Sequence, residues 1–177
     1  FYRTKVFTPE QIGLVSLILS FSGILQFFVL LGTPNILLKF LPEYSSKREK
    51  TGITLTIIII NIITYFIFSS LLLLFKEAFL STIDNQLFKT YYWLIFAVCI
   101  AEPFFQIFDI LLRVNFKSVF PGFLNDFIFK VFHFVILLIV TLLDVSFYQY
   151  LITYFSFYLI KLFLIVVYSF KTIQFEK

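Results

Sequence analysis

The chain has no methionine, and only one cysteine and one tryptophan, among its 177 residues. A lone Cys99 inside an apolar segment excludes an intramolecular disulfide and a cysteine metal cluster. Histidine is just as scarce: His133 has no companion ligands, so a packed or hydrogen-bonded ring is expected there and no metal. Charge is the most telling shortage. Only 14% of residues are charged, against about a quarter in a soluble domain, which excludes a water-facing globular surface. There is no HExxH, no glycine-rich phosphate loop, no nucleophile elbow and no paired cysteine motif, so neither an enzyme nor a cofactor is expected. The net charge of +4 is small and reads as loop charge, not as a nucleic-acid patch.

What is present is apolar: 60% of residues, with a mean hydropathy of +0.99. The chain divides into stretches long enough to cross a bilayer, at about 11–32, 52–75, 90–112, 122–143 and 147–170. Runs such as Ile57 to Ile60 have strand propensity, but an open sheet edge in lipid leaves backbone groups unpaired, so helices are expected. The reading is an all-α, polytopic transmembrane helix bundle. The step Gly32-Thr33-Pro34 is expected to end the first span. The outer connection 76–89 places Phe79, Leu80, Ile83 and Leu87 on one helical face, as either an interfacial helix or a solvated loop.

Basic residues fall unevenly. Lys39, Lys47, Arg48, Lys50, Arg113, Lys117, Lys130, Lys171 and Lys177 are assigned to one side, and Arg3, Lys5, Lys76 and Lys89 to the other. The richer side is expected in the cytoplasm, with the N-terminus outside and the C-terminus inside. A start at Phe1 without methionine, running into a first segment too long for a secretory signal, suggests a piece of a longer protein.

Polar residues inside the spans are periodic. Glu102, Gln106, Asp109 and Arg113 share one narrow face of the third span, beside Pro103. Asp126, Lys130 and His133 share a face of the fourth; Tyr150, Tyr154, Lys161 and Tyr168 align on the fifth, and Thr54, Asn61 and Tyr65 on the second. A charge at mid-bilayer costs about 2.5–3.5 kcal/mol on insertion scales, so such stripes suggest a hydrated cavity. The plainer reading keeps Arg113, Asp126 and Lys130 near helix ends with side chains reaching the headgroups, Asp109 and Arg113 neutralising each other, and the tyrosines in an interfacial belt. The carboxylates Glu102 and Asp109 have no visible partner on a second helix. On the first span, Gly13, Ser16, Ser20 and Gly23 form a small-residue stripe, read as helix packing in preference to a substrate role.

The order of features, FTPEQIGLVSLILSFSGILQFFVLLGTPNILLKFLPEY, then the charged run Ser45 to Lys50, then LLRVNFKSVFPGFLNDFIFKVFHF, resembles bacterial polysaccharide biosynthesis proteins. These are lipid-linked oligosaccharide flippases of the O-antigen type, in the superfamily that also holds multidrug exporters. Thr8-Pro9-Glu10 and Gly13 look like the start of that family's second helix. Leu31-Gly32, Asn35, Lys39-Phe40 and Pro42 look like its cytoplasmic exit, and Arg113, Pro121, Phe123 and Lys130 like the fourth-to-fifth helix connection.

The resemblance implies helices two to six of the N-terminal lobe of a two-lobe transporter with about 12–14 helices, working by alternating access in the bacterial inner membrane. The implied partners are membrane lipid, an undecaprenyl-pyrophosphate-linked oligosaccharide, a possible coupling ion and the remaining helices. A cationic lining would suit the pyrophosphate, from Lys39, Arg113, Lys130 and Lys161, with Asn35 and Asn61 as hydrogen-bonding neighbours. The family's usual arginines are Lys39 and Lys130 here, which removes bidentate phosphate geometry. Two alternatives stay open: a cation-coupled small-molecule exporter using Glu102 and Asp109, and a membrane-embedded polysaccharide polymerase or ligase.

Overall fold

The computed structural model describes residues 7–143 and 145–173, and these contain helices and no strand. The order is α1 (Pro9–Leu30), α2 (Thr33–Phe40), a 3-10 turn (Leu41–Glu43), α3 (Lys47–Leu74), α4 (Lys76–Ser81), α5 (Gln86–Tyr91), α6 (Leu94–Val114), α7 (Val119–Leu143) and α8 (Phe147–Thr172). Five of them, α1, α3, α6, α7 and α8, are long and apolar enough to cross a membrane. The protein is a multi-pass helical membrane protein. Successive crossings alternate in direction, so the ends of α2, α6 and α8 and the starts of α3 and α7 share one end of the bundle. That is the basic end.

Helix starts are set by side chains that satisfy orphan backbone donors. Thr8 and Gln11 form a reciprocal capping box on α1, as do Ser146 and Gln149 on α8. Ser46 caps α3 through the Glu49 N–H, which draws the charged run Lys47 to Lys50 into the helix and starts it earlier than 52.

Helix α6 is the most enclosed of the five and packs against α1, α2, α3 and α8. Apolar side chains gain little by leaving lipid for one another, so close packing and interhelical hydrogen bonds hold this bundle. One buried cluster, around Leu14, Ile18, Ile95, Leu151 and Phe155, joins α1, α6 and α8 toward the end opposite the basic one. A second, around Leu37, Ile57, Phe105, Leu112 and Ile165, joins α2, α3, α6 and α8 toward the basic end. The 76–91 connection folds into α4 and α5, and Phe79, Leu80, Ile83 and Leu87 pack partly buried against the first cluster.

The first crossing, Pro9–Leu30, ends at the glycine–proline step as expected. Leu31 and Gly32 both take left-handed backbone (φ 46° and 73°), a two-residue break after which the chain resumes as α2. Glycine makes the second of these conformations inexpensive. The break lies beside Asn61 of α3. Free carbonyls away from water are costly, and polar side chains take them up. Thr64 Oγ1 donates to Val29 O at 2.7 Å and Thr33 Oγ1 to Leu30 O at 2.6 Å. Asn61 Nδ2 donates to Thr33 Oγ1 at 2.9 Å and to Ile57 O at 2.8 Å. Asn61→Leu is expected to lower stability by about 1 kcal/mol, the range measured for interhelical bonds in lipid, readable as a lower midpoint in detergent-induced unfolding. An unchanged midpoint would remove Asn61 from this clasp.

The Gly13, Ser16, Ser20 and Gly23 stripe faces away from the described bundle. Ser16, Ser20 and Gly23 lie on the exposed side of α1, and a Cβ added at either glycine meets nothing within 4 Å. The stripe packs against none of the described helices. The face α1 buries carries Leu14, Val15, Ile18, Ser22 and Val29 instead, because larger side chains fill the wide space between α1 and α6.

Candidate functional site

The α6 stripe occupies the one side of that helix that the bundle leaves open. Its buried positions, among them Ile95, Val98, Phe104, Ile107, Leu111 and Leu112, cover the rest of the circumference. Glu102, Gln106 and Asp109 are half-buried along the open side, and Arg113 is exposed at its basic end.

Glu102, near the middle of α6, does have a partner on a second helix. Lys161 Nζ on α8 donates to Glu102 Oε1 at 2.5 Å and to Asn125 Oδ1 on α7 at 3.2 Å. Three crossings therefore meet at one ammonium group. The Lys161 side chain is 1% exposed and that of Glu102 21%, so the carboxylate is the accessible edge and the lysine stands behind it. Three rings surround the ammonium, with centroids at 4.3 Å (Phe105), 4.8 Å (Phe129) and 5.3 Å (Tyr158). Ring faces attract a cation most strongly when water is excluded. An ion pair, an amide and an aromatic enclosure together make a buried ammonium tolerable here.

Asn125 reaches this site from an unusual backbone. Helix α7 begins as an α-turn, Val119–Gly122, widens to a π-helical segment, Phe123–Ile128, and continues as α-helix, Phe129–Leu143. A π-turn inserts an extra residue and shifts the angular phase of what precedes it. Asn125 and Phe129 turn toward Lys161, while Asp126 and Lys130 face outward. Asn125 escaped the sequence reading because regular helical spacing does not align it with Asp126, Lys130 and His133. The only signal was an amide inside an apolar span.

Two more ion pairs flank the first. Arg113 Nε donates to Asp109 Oδ1 at 2.8 Å, and Asp126 also lies within electrostatic reach of Arg113. Lys130 Nζ stands 3.8 Å from Asp126 Oδ1, with both side chains at least 70% exposed. Because α7 starts at Val119, Lys130 sits near the midpoint of the 25-residue crossing and not in a connection, so it leaves the count of basic loop residues. An exposed ion pair at that depth calls for water or a polar neighbour.

The residues expected to form a cationic lining are paired or dispersed. Arg113, Lys130 and Lys161 are each matched by a carboxylate, and Lys39 lies on exposed α2 with its ammonium 5.1 Å from the Phe40 ring. Asn61 is fully buried in the α1–α3 clasp and Asn35 is exposed on α2, both apart from the Glu102–Lys161 pair. His133 packs its ring against Tyr154 and Phe129 (centroids 4.2 and 4.3 Å), with Nδ1 at 2.7 Å from Phe129 O. Tyr150, Tyr154 and Tyr158 form a buried file on α8 leading to Lys161. Tyr168 stacks on Phe120 at 4.0 Å.

A polar, groove-like face along α6 and α7, backed by the buried Lys161 of α8, presents carboxylates, amides, one guanidinium and the Lys130 ammonium. Such a surface can exchange hydrogen bonds with a polyhydroxylated head group. No group of three His, Cys, Asp or Glu suited to a metal occurs among the described residues. No family model, curated protein or solved structure matches the chain, so the site stands on its own geometry.

Proposed function

We propose that this chain is a lobe of a membrane transporter that carries the sugar head of a polyprenyl-pyrophosphate-linked oligosaccharide across the bacterial cytoplasmic membrane. The observation that carries the reading is the Glu102–Lys161–Asn125 junction at the middle of the most enclosed helix, opening on a polar face that lipid would penalise. Helices beyond the described ones would close that face into a cavity, and the lobes would rock about it to expose the site to either side. The basic end lies in the cytoplasm by the distribution of lysine and arginine. The resemblance noted above supplies the substrate class. The site supplies the carboxylates, Gln106 and Asn125 that sugar hydroxyls require.

The transfer breaks no bond. The polyprenyl tail stays among acyl chains while the sugar crosses beside α6, exchanging its water hydrogen bonds for those of the groove. A cation-coupled exporter remains the second reading, favoured by one observation: a proton or metal cation taken up at the accessible edge of Glu102 would release Lys161.

Reconstitution in vesicles with a fluorescent polyprenyl-pyrophosphate-linked sugar tests the first reading, using a membrane-impermeant quencher to report which leaflet holds the label. Label should equilibrate between leaflets only in protein-containing vesicles. Gln106→Leu, which removes one donor–acceptor group from the groove, should slow this about tenfold. No exchange by the wild-type protein would defeat the proposal.

A further inference from the structure

The three strongest ungoverned features are the tyrosine file on α8, the outward small-residue stripe of α1, and a cavity at the basic end. The cavity carries furthest. It holds about 290 Å³ and lies where α3 begins and α6 and α8 end, lined by Leu41, Lys47, Lys50, Thr54, Asn115 and Thr172 among others.

Its lining is basic and hydroxylated, and no carboxylate of the described residues contributes to it. Lys50 takes part in none of the ion pairs among the described residues. Helix C-termini can offset the lysines with free carbonyls, and several of those nearby are taken. Asn115 donates from its backbone to Leu111 O and Leu112 O, and from Nδ2 to Leu111 O at 2.7 Å; Lys117 N–H bonds Leu112 O at 2.8 Å and Ile173 N–H bonds Ser169 O at 2.8 Å. The start of α3, whose macrodipole is positive, faces the same space.

Thr54 is the decisive residue. It is 2% exposed and lines the cavity, and its hydroxyl takes part in none of the hydrogen bonds among the described residues, although Thr51 and Thr56 on the same helix both donate to carbonyls four residues back. A hydroxyl so placed takes its partner from whatever fills the cavity, water or a ligand.

We propose that this cavity binds a phosphoryl group, with Lys50 supplying charge and Thr54 and Asn115 supplying neutral hydrogen bonds. Leu41, Leu111 and Ile173 on its wall suit a phosphate that carries an apolar substituent. The site is separate from the Glu102 groove and holds whether or not the chain transports sugars, since membrane phospholipids bear the same group.

Binding to the purified full-length protein in uncharged detergent tests this, with dioctanoyl phosphatidic acid, dioctanoyl phosphatidylcholine and inorganic phosphate as separate probes. Phosphatidic acid should bind saturably. Lys50→Ala and Thr54→Val should each weaken it about tenfold, the loss of one charge-assisted or buried hydrogen bond, while Thr54→Ser should keep wild-type affinity. Inorganic phosphate competing with phosphatidic acid would assign the affinity to the phosphoryl group itself, and binding of the lipid alone would assign a lipid headgroup. If Lys50→Ala loses helicity, Lys50→Gln replaces it. Equal affinity for phosphatidylcholine, or wild-type affinity in the Lys50 and Thr54→Val variants, overturns the site.

Discussion

Replacing Glu102 by alanine is expected to destabilise the folded bundle by about 3–5 kcal/mol, because it strands an ammonium group that the surroundings cannot hydrate. Lys161 is 1% exposed, and once Glu102 is gone only Asn125 and the three rings remain to it. The reverse substitution, Lys161→Met, should cost less. Glu102 keeps 21% of its side chain exposed to the groove and can turn toward water there. Removing both charges together in Glu102→Ala/Lys161→Met should recover most of the loss, since no buried ammonium is then left without its partner. The double-mutant cycle, measured by unfolding midpoints in detergent, should give a coupling above about 1 kcal/mol. Strict additivity of the two single changes would sink the claim that these helices are joined through this pair.

A second large effect is expected at Phe88, the buried anchor of the connection between α3 and α6. Its ring is fully enclosed and meets Phe21 of α1 and Phe79 of α4, with centroids at 5.5 and 6.0 Å. Phe88→Ala removes these contacts and leaves a void worth about 3–5 kcal/mol. Asn85 still caps α5 through the Phe88 N–H at 3.0 Å, so the short helix keeps its start while losing its hold on the bundle. Hydrogen exchange should therefore accelerate over residues 76–91 and stay unchanged in α6 and α8. Uniform acceleration throughout the chain would mean that this connection is not a separately docked unit.

The crossings are legible in the sequence because lipid imposes one rule, a long apolar run with few charges, and five segments obey it. Their ends are less so. Hydropathy falls at Lys47 to Lys50, yet Ser46 caps a helix that includes them, because a polar first turn outside the apolar layer costs nothing. The break at Leu31-Gly32 is visible as a glycine before a proline, and the first span ends there. What holds the break is not visible, because its partners Asn61 and Thr64 lie 28 and 35 residues away.

The site divides in the same way. Helical period placed Glu102, Gln106, Asp109 and Arg113 on one face, and the structure keeps them there. Period says nothing of how two helices are rotated against each other, so Lys161, 59 residues from Glu102, was assigned to the same cavity without being joined to it. Asn125 was hidden further, because a π-turn breaks the phase from which its direction would be read. The small-residue stripe of α1 meets no described helix, since smallness permits a close approach but does not name the partner.

The separation of Glu102 and Lys161 has a consequence for how the chain is made. The flanking pairs, Asp109 with Arg113 and Asp126 with Lys130, each lie four residues apart on one helix and can neutralise as that helix emerges. The central pair cannot. During synthesis α6 leaves the ribosome with its acid bare, and about 3–12 s pass at 5–20 residues per second before the lysine of α8 is translated. The nascent α6 must wait beside the translocon or a waiting chaperone until its counter-charge arrives, which makes membrane integration of this protein an ordered, cooperative event and not five independent insertions.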